Sequence, residues 1–138
     1  MKHIHYLLIF ALIVFVSCAG KEKTKLSDES QTTAGLAPEI EFSESTFDFG
    51  EINQGEVVVH KFLYKNKGNA NLIITKVDAS CGCTAMNFND TPLPPGKESF
   101  IEVEFNTRGK KGSQYKTVTV YSNAKQKRTV LSIAARIK

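Results

Sequence analysis

Tryptophan is absent from the 138 residues, and cysteine and histidine occur only three times each. His3 and His5 precede an apolar N-terminal run, so His60 is the one imidazole in the rest of the chain. A Ser-His-Asp apparatus has little to draw on, and no nucleophile elbow accompanies that histidine. A glycine-rich phosphate loop is missing too, as is the strand–loop–helix needed to hold one. Glu102 and Glu104 are paired acids, but they alternate with Ile101, Val103 and Phe105 and so belong to the solvated side of a strand. An enzyme is therefore not expected. No acidic residue follows Glu104, where Arg108, Lys110, Lys111, Lys116, Lys125, Lys127, Arg128, Arg136 and Lys138 accumulate, whereas residues 39–56 carry six acids. Such an imbalance is met by internal pairing, by solvated faces with lysines guarding an edge strand, or by a basic patch facing anionic lipid or glycan. Nucleic acid is not an expected partner, since no aromatic surface interleaves with the bases.

Long apolar runs are scarce. The longest, Tyr6–Val16, is about half of the ~20 residues a helix needs to cross a bilayer. With Lys2 before it, the run fits the h-region of a secretory signal. It ends at "FVSCAG", which resembles the lipobox of bacterial lipoproteins; Val16 and Ser17 match, while Phe15 stands where Leu, Val or Ile is usual. Cys18 is then the acylated residue, and several acyl chains on one cysteine give a firm anchor. Residues 1–17 are expected as a lipoprotein signal peptide and residues 18–37 as acylated cysteine plus flexible tether. The tether is rich in Lys, Glu, Ser, Thr and Gly and too poor in apolar residues to fold.

Residues 38–138 show no helical period. Short runs rich in Val, Ile, Phe, Tyr and Thr end in Gly, Asn, Asp or Pro, the pattern of strands. Ile40 with Phe42 and Phe47 with Phe49 sit at period two. Val58, His60, Phe62 and Tyr64 share a face, as do Ile101, Val103 and Phe105, then Val118 and Val120, then Leu131, Ile133, Ala135 and Ile137. "NKGNAN" and "LPPGKE" are turn sequences. The pattern predicts an all-β fold, an immunoglobulin-like antiparallel β-sandwich of about seven strands. With no tryptophan and two cysteines nearly adjacent, the Cys–Trp–Cys core of antibody domains is excluded.

The segments "FDFGEINQGEVVVHKFLYKNKGNANLIITKVDASCGCT", "PLPPGKESFIEVEFNTRGKKG" and "VTVYSNA" resemble a bacterial envelope family, domain of unknown function 1573. Its markers here are Phe-x-Phe-Gly at 47–50, the Asn-x-Gly turn at 66–68, Ser-Cys-Gly-Cys-Thr at 80–84, Pro95–Gly96 and Ser122–Asn123. The resemblance implies a sandwich akin to the Hydin and abnormal-spindle domains and a place in the cell envelope; it implies no activity.

Cys81 and Cys83 remain once Cys18 is acylated, and three readings of them stay open. In an oxidising compartment a local disulfide is the plainest, although so small a ring removes little loop entropy. Gly82 would relieve the extended geometry that otherwise holds i and i+2 apart. A strained bond of this kind suits a redox role. A soft-metal site is the third: two thiolates with Met86, and His60 brought in by the fold, match Cu(I). Against that, methionine is commonly a core filler, and His60 is expected to pack on a strand face. The sequence thus points to a lipid-anchored envelope protein, facing the periplasm or the cell surface. Its partners are the membrane and an unidentified envelope protein; copper binding or thiol redox at Cys81-Gly82-Cys83 is the alternative.

Overall fold

The structure, a computed structural model, describes residues 35–80 and 84–138. Eight strands form two sheets: β1 (Ile40–Phe42), β2 (Thr46–Ile52), β3 (Val57–Asn66), β4 (Ile74–Ala79), β5 (Thr84–Phe88), β6 (Glu98–Asn106), β7 (Gly112–Ser122) and β8 (Arg128–Ile137). The first sheet runs β1-β3-β6-β5 and the second β2-β8-β7-β4. The predicted sandwich is present, with two differences from the sequence pattern. Thr84–Phe88 adds an eighth strand, paired antiparallel to β6, and β2 lies parallel to β8. A parallel pair leaves no mark on hydrophobic alternation, because period two is the same in either direction.

Side chains of period two fill the space between the sheets. Phe62, Ile101, Val103 and Phe105 come from the first sheet; Val118, Val120, Leu131 and Ile133 come from the second, and all are at most 1 % exposed. Partly buried Phe42, Phe47, Phe49, Val58, Met86 and Phe88 close the rim of this core. The registers β3/β6 and β7/β8 set Phe62 beside Ile101 and Val118 beside Leu131, so each inward row is continuous across two strands.

Five glycines hold backbone shapes that a side chain disfavours, Gly50 and Gly96 among them. Gly50 (φ +69°) lies within the break in the β2/β8 register between Asp48 and Glu51, and its N–H donates to Asp48 Oδ1 at 2.8 Å. Gly96 (φ +74°) follows Pro95 in a turn closed by the Lys97 N–H on the Pro94 carbonyl at 3.2 Å. Both are positions where glycine relieves the left-handed penalty.

The fully buried side chain of Asn66 ties three loops together. Its amide donates to the carbonyls of Ala70 (2.8 Å) and Leu93 (2.9 Å), and its carbonyl accepts from Gly68 N–H (3.0 Å) and, at longer range, Glu39 N–H (3.4 Å). Its own backbone bonds Lys97 and Gly96. Gly68 leaves room for this knot: a Cβ there would fall 2.2 Å from the Ala37 carbonyl oxygen and 2.5 Å from the Glu39 nitrogen.

Candidate functional site

Cys18, Cys81 and Cys83 lie outside the described residues, but the flanks of the cysteine pair are described. Ser80 ends the region of β4, an edge strand of the second sheet, and Thr84 opens β5, an edge strand of the first. The three residues between them therefore connect one sheet to the other. Ser80 N–H donates to the Thr117 carbonyl at 2.9 Å, while Thr117 N–H donates to Ser80 Oγ at 3.1 Å. On the other side Thr84 stands opposite Phe105 in the β5/β6 ladder. Both ends of the connection are held by backbone pairing.

His60 and Met86, the other two proposed soft-metal ligands, sit opposite the same residue, Val103, from its two flanking strands. A whole strand thus separates them, roughly 10 Å at ordinary inter-strand spacing. The His60 ring stacks on Phe47 (centroids 3.6 Å apart, planes 8° from parallel) and meets Phe62 edge-on at 4.7 Å. Its Nε2 lies 2.9 Å from Glu44 Oε1. His60 is thereby packed as an aromatic residue with one polar tip satisfied, and Met86 packs against the core. Among the described residues no three His, Cys, Asp or Glu side chains converge as a metal cage.

The charge imbalance resolves mostly by exposure. Lys138 pairs with Glu51 at 2.5 Å, the one ion pair among the described residues joining the basic C-terminal region to the early acids. Lys116, Arg128 and Arg136 belong to β7 and β8, the central strands of their sheet, so they guard no edge. The lysine-guarded edge is thus not formed by these strands, because composition reveals charge but not order within a sheet. Lys76, on edge strand β4, does occupy such a position; its pKa is raised by the hydrogen bond and charge of Asp78 at 2.7 Å.

The outward face of the first sheet carries the most distinctive surface. Val57, Val59 and Leu63 of β3 and Phe100 of β6 are large apolar side chains left exposed. Cross-strand partners interleave charge with them: Lys61 with Glu102 at 3.3 Å and Lys65 with Glu98 at 3.1 Å. The Lys61 ammonium also lies over the Phe100 ring, 4.5 Å from its centroid. The sequence carried a signal for this face that the strand reading passed over. In "EVVVHKFLYKN" the alternation fails, with Val57, Val59 and Leu63 apolar on the side that should be polar.

Three solved structures share the architecture. A protein of unknown function from Porphyromonas gingivalis W83 superimposes with TM-score 0.65 at 16 % identity, over 75 % of this chain and 49 % of that one. The ASH/PapD-like domain 7 of human CEP192 gives 0.62 at 11 % identity, over 89 % and 95 %. The Vibrio cholerae VesB protease gives 0.59 at 15 % identity, over 72 % of this chain but 32 % of the protease. The chain spans about half or less of the Porphyromonas and Vibrio proteins, and at these identities the likeness is one of fold. No curated protein matches. The family model for protein of unknown function (DUF1573) matches residues 40–137, and the chain belongs to that family.

Proposed function

We propose that this protein is a non-enzymatic, lipid-anchored module of the bacterial cell envelope whose immunoglobulin-like domain binds a protein partner. The observation that carries the reading is the outward face of the first sheet, where Val57, Val59, Leu63 and Phe100 remain exposed beside ordered charge pairs. Apolar patches of this kind on a soluble domain mark interaction surfaces. Residues 1–17 serve as the signal peptide, Cys18 carries the lipid, and residues up to 37 tether the domain to the membrane.

The test is site-specific photocrosslinking in intact cells. A crosslinker at Leu63 is expected to yield a defined adduct that one at Thr119, on the other sheet, does not; equal yields at both positions would refute the reading. Cys18→Ser is expected to move the protein from the membrane to the soluble fraction, and unchanged membrane association would remove the anchor.

A copper or thiol-redox role of Cys81 and Cys83 is the second reading. It is favoured by their place in a three-residue connection whose two ends, Ser80 and Thr84, are pinned to different sheets. Alkylation with and without reductant, followed by intact mass and metal analysis, separates a local disulfide from free thiols or bound copper. An inert, normally folded Cys81→Ser/Cys83→Ser variant would exclude this role.

A further inference from the structure

We infer that the outward face of the first sheet is a self-association surface, occupied by a second copy of this chain on a two-fold axis parallel to the strands. The inference rests on that face being the binding surface and names what it binds. The face is divided lengthwise. β3 presents Lys61, Leu63 and Lys65, and directly opposite on β6 stand Glu102, Phe100 and Glu98. One strand is thus cationic and its neighbour anionic, with a leucine–phenylalanine row between the two charged rows.

Two sheets can meet face to face about an axis lying in their plane. An axis across the strands lays β3 on β3, lysine on lysine, and β6 on β6, glutamate on glutamate. An axis along the strands lays β3 of each copy on β6 of the other. Lys61 then faces Glu102, Leu63 faces Phe100 and Lys65 faces Glu98, each contact made twice by symmetry. The charge pattern selects the second arrangement and rejects the first. Within one copy these ion pairs are solvent-exposed and individually weak. Between two faces each carboxylate would sit among two ammonium groups, with Leu63 and Phe100 excluding water beside them. Val57 and Val59 extend the apolar strip along β3 alone, since Asn106 and Glu104 of β6 stand opposite them. The outward face of the second sheet has no such division: Arg128 and Arg136 of β8 stand opposite Tyr121 and Ser113 of β7, and Glu51 of β2, opposite Arg136 on the other side, pairs with Lys138.

The experiment is sedimentation velocity of the full chain in mild detergent, as wild type, as Lys61→Glu, as Glu102→Lys, and as an equimolar mixture of the two variants. The wild type is expected to dimerise. Each single variant opposes like charges at two places in the dimer and is expected to weaken it about tenfold or more. The mixture is expected to regain a dimer, because the two carboxylates of one chain then meet the two ammonium groups of the other. Leu63→Gln, an exposed neutral change, is expected to weaken the dimer as well, which guards against misfolding of the charge variants; melting curves check each fold. A monomeric wild type overturns the inference, and so does a dimer indifferent to both charge changes. Loss without recovery in the mixture overturns the axis. A monomeric wild type that still yields the Leu63 crosslink to another protein would remove the second copy and leave the binding module standing.

Discussion

Asn66 offers the sharpest test of how the loops are held. Replacing it with alanine removes two amide donations, to Ala70 and Leu93, and two acceptances, from Gly68 N–H and, at 3.4 Å, from Glu39 N–H. The Leu93 carbonyl keeps a second donor, Leu72 N–H at 2.9 Å, so the groups orphaned are the Ala70 carbonyl and the Gly68 and Glu39 amides. These three residues are partly or fully exposed, and water recovers some of the loss. At about 1 kcal/mol for each of the three shorter bonds, with little from the long one, the expected destabilisation is about 2–3 kcal/mol. For a domain of this size that corresponds to a melting temperature lower by roughly 10–20 °C. Asn66→Asp is the stricter variant, since its shape is unchanged while its carboxylate faces two carbonyl oxygens with no hydrogen to offer. That repulsion raises the folded-state pKa of the introduced group above its unfolded value near ~3.9. The variant is therefore closest to wild type below that value and falls away as pH rises through the raised one. Circular dichroism melts at about pH 4 and pH 7 measure the gap. An Asn66→Ala melt within ~3 °C of wild type, or an Asn66→Asp gap that does not widen with pH, would refute the account.

Gly68→Ala is expected to cost about 2 kcal/mol, because the new Cβ meets backbone at residues 37–39 that cannot swing aside, and urea unfolding measures it. Burial raises the Tyr64 phenol above 10.0, against a smaller lowering by its hydrogen bond to Ser99. Its contribution to stability is thus complete below pH 10.0 and lost as pH rises through the higher folded value; Tyr64→Phe is expected to flatten the stability curve between about pH 9 and pH 11. His60→Phe keeps the stack on Phe47 and is expected to change stability by less than about 1 kcal/mol, whereas His60→Ala loses about 2–3 kcal/mol. If His60 instead serves a copper site, both substitutions would weaken copper retention alike, which titration of the full chain with Cu(I) reads directly.

The sequence carried the inward faces of the sandwich well because burial imposes a two-residue period that needs no partner to be visible. Val118, Val120, Leu131 and Ile133 were legible in this way, and all are buried as expected. The Thr84–Phe88 strand was not, since so short an element offers only Met86 and Phe88, both partly buried, with Asn87 between them. Strand order was hidden for a different reason. Which strands lie centrally depends on long-range pairing, so the basic residues of β7 and β8 could be counted but not located. The face now put forward as the binding surface was readable only as a lapse in alternation within β3. Its division into a cationic β3 and an anionic β6 needed the β3/β6 register, which brings residues 61–65 beside 98–102. The cysteine pair stood out at once, and what the fold adds is its address between two edge strands.

The parallel contact of β2 with β8 bears on when the domain can finish folding. Thr46 pairs with Ser132 and Ile52 with Ile137, so among the described residues an early strand takes its ladder partner from one made much later. β7 likewise gains its second partner from β8, which enters the middle of its sheet rather than adding to a margin. A chain emerging N-terminus first can pair β3 with β6 while β2 waits, its Phe47 and Phe49 uncovered by the sheet they will join. Contacts so distant in sequence are closed slowly. Completion is then a single late event, and a ribosome that releases the chain before β8 is made leaves the second sheet without one of its two central strands.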